Sequence, residues 1–229
     1  MRIRRRWMCM LLVAIAACVV LAIGAVAVGT GRICITSAAR PENRFDGSVS
    51  VYERAVDHDG DGIDDQTDIL QSALAYVATC PRYRSAYYAG GYPDDGYGVC
   101  TDVVAYALLG AGYDLQRLVD EDIAADLGAY GIDVPDPAID FRRVHNLAVY
   151  FKRNARALTT DTSDLEAWQG GDIVLYDGHV GIVSDRRDAH GVPYLIHHAS
   201  PFQLAYEEDR LESYGAITGH YRVIPHVSQ

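Results

Sequence analysis

The chain has 229 residues, 49% of them hydrophobic, and a formal net charge of −11. Residues 1–29 hold Arg2, Arg4, Arg5 and Arg6 and no acid, so the remainder sets 16 basic residues against 31 acidic ones. This excludes a nucleic-acid binder, which needs a basic face, and leaves enough chain for one domain with a proper core.

Trp7 to Gly29 is an apolar run without a charge, preceded by the arginine cluster. Its length of about two dozen residues suits a bilayer span. The arginines stay on the cytoplasmic side, so the expected place is the cell membrane, as a single-pass anchor with the domain outside. Two alternatives remain open: cleavage and secretion at Ala25-Val26-Ala27, or lipidation of Cys18 within Ile15-Ala16-Ala17-Cys18. The domain division is then 1–29 anchor or signal peptide, 30–51 tether, and 52–229 folded domain. Of five cysteines, Cys9 and Cys18 lie in the apolar run. Cys34 and Cys80 are free to pair, which would leave Cys100 as a lone thiol.

Asp57 to Asp68 reads DHDGDGIDDQTD. Oxygen ligands fall at calcium-loop positions 1, 3, 5, 9 and 12, namely Asp57, Asp59, Asp61, Asp65 and Asp68, with Gly62 at the sharp turn. The loop resembles those of thrombospondin type 3 repeats and dockerins, and a structural calcium is one expectation. The other is an acidic turn capped by Thr67 or Asp68. Thr67 to Thr79 has the helical period. A loop with Tyr83, Tyr87, Tyr88, Tyr92 and Tyr97 follows; it either lines a groove or packs under itself.

Gly90 to Val104, GGYPDDGYGVCTDVV, runs a Gly- and Asp-rich loop into Cys100, where a buried helical pattern begins and continues to Gly112. A helix N-terminus favours thiolate over thiol and offers N–H groups to an oxyanion. Cys100 is therefore the candidate nucleophile; the alternative is a small core thiol. Leu115 to Leu127 reads as an amphipathic helix. Phe141 to Leu158 reads as another, with a basic face from Arg142, Arg143, Lys152, Arg153 and Arg156. From Gly170 the period becomes that of strands. Asp172 to Tyr176 and His179 to Ser184 flank Asp177-Gly178, a two-residue hairpin signal. Pro193 to His198 and Ile217 to Pro225 complete the strands. Helices followed by an antiparallel sheet make an α+β domain.

A thiol nucleophile needs a base, and the base a group to orient it. His179 opens one strand and His197 lies in the next. The strings GYPDDGYGVCTDVV, PDPAIDFRRVHNL, WQGGDIV, GHVGIVSD, IHH and ITGHYR together resemble a bacterial family catalogued as domain of unknown function 1287. That family is similar to papain-like cysteine peptidases of the NlpC type, which cut cell-wall peptides. The resemblance implies a papain-like fold with Cys100 as nucleophile, His179 as base and His197 as orienting residue, and no cofactor for catalysis. His198 is the competing orienting residue and Tyr97 an oxyanion donor. NlpC-type enzymes carry D-C-S-G where this chain has V-C-T-D, so the acid falls after the thiol, at Asp102. The function implied is an exported, membrane-anchored thiol hydrolase acting on an amide, with peptidoglycan as partner. Alternatives are a non-catalytic wall-binding module, an acyl transferase, or a zinc site built from Cys100, His179, His197 and His198.

Overall fold

The computed structural model describes residues 2–52 and 56–223, without the side chains of residues 2–6, 8 and 9. Residues 224 and 225, read as the end of the last strand, lie outside the described residues, as do 53–55 of the domain.

Helix α1, Arg2–Gly29, is long and apolar enough to cross a membrane by length and composition. It ends where the Thr30 hydroxyl donates to the Val26 carbonyl and Gly31 turns left-handed, at φ 67°. Helix α2, Asp65–Ala78, starts at Asp64, whose carboxylate accepts from the Thr67 N–H and hydroxyl. The cap is thus neither Thr67 nor Asp68. Ile69, Ala73 and Val77 recur at helical spacing on the buried face of α2. They meet helix α3, Cys100–Gly110, whose Val103, Val104, Ala107 and Leu108 are also buried.

The short strands β1 (Arg82–Tyr83) and β2 (Tyr97–Gly98) pair in parallel and bring the two ends of the tyrosine loop together just before Cys100. Helices α4 (Leu115–Ala125) and α5 (Leu127–Tyr130) follow. The expected single helix from Phe141 to Leu158 is broken. A 3₁₀ turn, Asp140–Arg142, is followed by Arg143 in extended backbone, and α6 spans only Val144–Asn154. The Asn146 side chain donates to the Asp140 carbonyl, and Arg142 is drawn into the interior. Arg142 therefore does not belong to a solvated basic face.

The remaining strands are β3 (Arg156–Ala157), β4 (Ile173–Tyr176), β5 (His179–Arg187), β6 (Pro193–Ile196), β7 (Glu207–Glu208) and β8 (Ile217–Arg222). They form an antiparallel sheet in the order β3-β8-β4-β5-β6-β7. Side chains alternate across the sheet. Ile173, Leu175, Val180, Ile182 and Ile196 join the helices in one core. Val174, Tyr176, Val183 and Leu195 pack with Trp168 and Leu211 on the other face. Asp177-Gly178 forms the tight turn between β4 and β5, pairing Tyr176 with His179, and Gly178 supplies the left-handed φ of 71°.

The stretch expected as a tether lies along the domain from Thr36 onward. Ser37 bridges Ala205, and the Thr36 hydroxyl donates to the Gln203 carbonyl. Arg40 grips Glu207 in bidentate fashion at 2.8 and 2.9 Å. Tyr52 N–H donates to the Gln169 side chain. Under the sheet, buried Asp172 accepts from both Arg222 and His220, and the His220 ring stacks on Trp168 at 3.7 Å. The WQGGDIV and ITGHYR strings meet there, so what they share is a buried ionic lock on the sheet.

Candidate active site

Two histidines are brought together on one face of the sheet by strand register. His179 opens β5 and His197 follows β6, and their rings meet with Nε2 of the first 2.8 Å from Nδ1 of the second. Gly181 makes this possible. A Cβ there would sit 3.2 Å from the His197 Cβ and 2.7 Å from Leu195 Cδ1. The other His197 nitrogen, Nε2, lies 3.0 Å from a carboxylate oxygen of Glu208 on β7.

Hydrogen-bond accounting assigns the protons. Burial holds His197 below the usual imidazole range, so it is neutral and carries one ring proton. Glu208 offers only acceptors, so that proton is on His197 Nε2 and is donated to Glu208. His197 Nδ1 must then accept from His179 Nε2–H. Neutral His179 is left with a bare lone pair at Nδ1, the tautomer a general base requires. Sequence reasoning missed Glu208. It sits in YEEDR, a charged stretch whose only signal is an acidic residue following the histidine strand.

Cys100 begins α3 and is partly exposed. The nearby backbone of Val180, Thr101 and Cys100 itself favours the thiolate and works against burial. Val180 is the residue after His179. Tyr214 stacks on the His179 ring at 4.1 Å and is also within electrostatic range of the thiol. These contacts gather the thiol, the histidine and the helix N-terminus at one end of β5. Burial pushes the thiol up to about 11 and the His179 imidazole down to about 3. A resting thiolate–imidazolium pair, which the helix dipole alone would favour, is opposed by desolvation on both partners. Both shifts favour the thiol and the neutral imidazole over the charged forms.

The auxiliary candidates lie elsewhere. His198 is on the opposite face from His197. It is edge-on to Tyr83 and Tyr206, with its buried Nδ1 unpartnered, and burial lowers it to about 4. The Tyr97 ring is held between the guanidinium groups of Arg82 and Arg84 at 4.1 and 3.7 Å. Tyr83 is the loop tyrosine within electrostatic range of Cys100. Tyr92 packs against Tyr106 and Phe141. Asp102 is fully buried and touches neither base nor solvent. It accepts from the Val99 N–H at 2.8 Å and from Arg142 Nε and Nη2 at 2.6 and 3.0 Å. It thereby pins the turn that presents Cys100. Cys34 and Cys80 are both free thiols.

Among the described residues, the acidic and thiol groups converge on one metal-sized point only at Asp57, Asp59 and Asp61, whose oxygens lie within 4.8 Å of one another. Three carboxylates suit a hard cation such as calcium. Asp65 is not part of that group: it accepts from the His58 N–H and the Tyr113 hydroxyl. Asp68 stands apart as well, on the buried side of α2, where burial and the neighbouring aspartates raise it to about 6. Cys100 and the three histidines form no such group, which removes the geometric basis for a zinc site.

The profile of the domain of unknown function DUF1287 matches residues 70–223. The chain belongs to the DUF1287 family. The uncharacterized protein YijF of Escherichia coli K12 is 38% identical over 151 residues, covering 62% of this chain and 72% of that protein. No solved structure matches the chain. The matched DUF1287 region contains Cys100, His179, His197 and Glu208 and begins after the aspartate loop.

The site histidines make the DUF1287 domain acid-sensitive. His179 and His198 ordinarily titrate near 6.5 and are lowered to about 3 and about 4, and His197 is lowered too. The unfolded chain binds protons more readily than the folded one in that window. Stability present above 6.5 is therefore lost as pH falls toward these values. Asp68 and Asp102, both raised by burial, work in the opposite direction, two carboxyls against three imidazoles. We expect urea unfolding to show a loss of about 2–5 kcal/mol between neutral pH and about pH 4.5. A His198→Phe variant should flatten that slope.

Proposed function

We propose that the domain is a thiol hydrolase of papain-like arrangement, similar to the NlpC type, that cleaves an amide bond in cell-wall peptides. The observation that carries this reading is the hydrogen-bonded line Glu208–His197–His179, which leaves His179 Nδ1 free to accept a proton at the end of β5 whose next residue, Val180, is close to Cys100 at the start of α3. A histidine pair serving only the core would need neither the tautomer lock nor the neighbouring thiol.

The chemistry runs from the neutral pair. His179 Nδ1 takes the thiol proton as Cys100 Sγ attacks the carbonyl carbon, so charge separates only as the new bond forms. The Cys100 N–H and the Tyr83 hydroxyl are the donors for the oxyanion. The tetrahedral species collapses, His179 returns its proton to the leaving amine, and an acyl-enzyme remains. Water, deprotonated by the same nitrogen, releases the acid and frees the thiol. His197 and Glu208 hold the His179 tautomer throughout.

Incubation of the detergent-purified chain with cell-wall peptides, read by mass spectrometry, tests the reading. The expected result is hydrolysis whose rate is flat across neutral pH. The base stays unprotonated down toward about 3 and the thiol stays protonated up toward about 11. A bell centred on an ordinary histidine value would contradict the neutral pair, and no turnover of any such peptide would remove the substrate assignment.

A further inference from the structure

The segment that leads into Cys100 lies beside the end of the apolar helix. Gly29 meets Phe202: a Cβ there would be 3.2 Å from the ring. Gly31 is buried against the Tyr83 carbonyl and the Tyr97 ring, and Tyr83 pairs with Gly98, two residues before Cys100. One layer of residues therefore separates the helix exit from the thiol.

The surface at this exit is apolar in a patterned way. Residues 33–37 run beside 203–205, tied by the Ser37–Ala205 bridge and by the Ser37 N–H and Thr36 hydroxyl donating to the Leu204 and Gln203 carbonyls. In both segments alternate residues point inward: Cys34 and Thr36 in one, Gln203 in the other. The outward ones are Ile33, Ile35, Phe202 and Leu204, exposed by 51, 40, 55 and 71%. Arg82, stacked on Tyr97, and Arg32 place cations at the same level, and among the described residues neither is in an ion pair. An apolar patch rimmed by cations and continuous with a membrane-length helix matches a bilayer interface. The rest of the domain is strongly acidic and would be repelled by anionic lipid, so contact must be confined to this patch.

We propose that Ile33, Ile35, Phe202 and Leu204 dock on the outer surface of the bilayer that α1 crosses. Cys100 is thereby held near the membrane surface, where its substrate is a lipid-anchored peptide rather than distant polymer. The substrate half of this proposal rests on the hydrolase reading; the docking half does not.

The test uses the full chain in vesicles of phosphatidylethanolamine and phosphatidylglycerol, with intact mass confirming that residues 1–29 are retained. A photoreactive phenylalanine analogue is placed at position 204, at 35, or at 109. Leu109 is exposed and lies at the far end of α3, about 13 Å of helix rise beyond Cys100. Lipid adducts are expected at 204 and 35 and not at 109. Equal yields at 204 and 109, or recovery of a chain lacking residues 1–29, overturn the proposal. The Phe202→Glu/Leu204→Glu variant should lose about tenfold in turnover of a cell-wall peptide coupled to lipid, while turnover of the free peptide is unchanged. An equal loss on both peptides overturns the substrate half. Absence of all turnover in the unaltered chain counts against the hydrolase reading, and the adducts then still decide docking.

Discussion

Cys100→Ala is expected to lower hydrolysis of the cell-wall peptide by about 10³-fold or more, because no other group near His179 can form the acyl-enzyme. The fold should survive, since Cys100 is partly exposed and loses only one sulfur atom. His179→Ala should cost about as much, and the double variant little more than either alone, as expected of groups that act as a unit. The supporting line should give a graded series. His197→Ala frees the His179 tautomer and should cost about 10²-fold. Glu208→Gln keeps an oxygen that accepts from His197 Nε2 and should retain most activity, whereas Glu208→Leu should fall about tenfold. Rates and unfolding curves measured on the same preparations separate these effects from misfolding. A Cys100→Ala protein that still turns over at the wild-type rate would end the enzyme reading.

Arg142→Met is expected to destabilise the domain by about 3–5 kcal/mol in urea unfolding, because it leaves the Asp102 carboxylate buried without its cation. The pair is bidentate and both side chains are almost fully buried, with exposures of 2% and 0%. Arg142 also donates to the Ala86 carbonyl, so the loop ahead of Cys100 loses an anchor. Burial already pushes Asp102 upward, and Arg142 is what pulls it back. Without the arginine, Asp102 should take up a proton on folding, and the variant should lose less stability than the wild type as pH falls from about 8 to about 5. Asp102→Leu/Arg142→Met should recover part of the loss. The recovery is incomplete because the Val99 N–H then has no acceptor. A pH-independent loss of under about 1 kcal/mol for Arg142→Met would show that the pair contributes little.

The aromatic loop shows how local pattern and tertiary placement diverge. Tyr97 is nearest Cys100 in sequence, yet its ring is taken by two arginines and by the end of α1. Tyr83 comes within electrostatic range of the thiol because β1 pairs in parallel with β2, setting Tyr83 opposite Gly98, two residues before Cys100. The basic helix illustrates the same point. Arg142 and Arg143 are adjacent, but the extended backbone at Arg143 sends one inward to a carboxylate 40 residues away and leaves the other exposed.

What the sequence determined by itself was whatever depends on neighbours a few residues apart. The hairpin at Asp177-Gly178, the start of α3 at Cys100, the apolar stripe of α2 and the apolar α1 follow from turn chemistry and periodicity, which act within one or two turns of chain. Alternation along β5 and β6 was sufficient to bring His179 and His197 onto one face. Only the tertiary structure decided the partners of buried polar groups. Glu208 as the end of the histidine line, Arg142 as the counter-ion of Asp102, Asp172 as the acceptor of His220 and Arg222, and the docking of residues 36–52 all join residues distant in sequence. A buried charge must find a partner or cost several kcal/mol, but its residue type does not say which partner packing will bring.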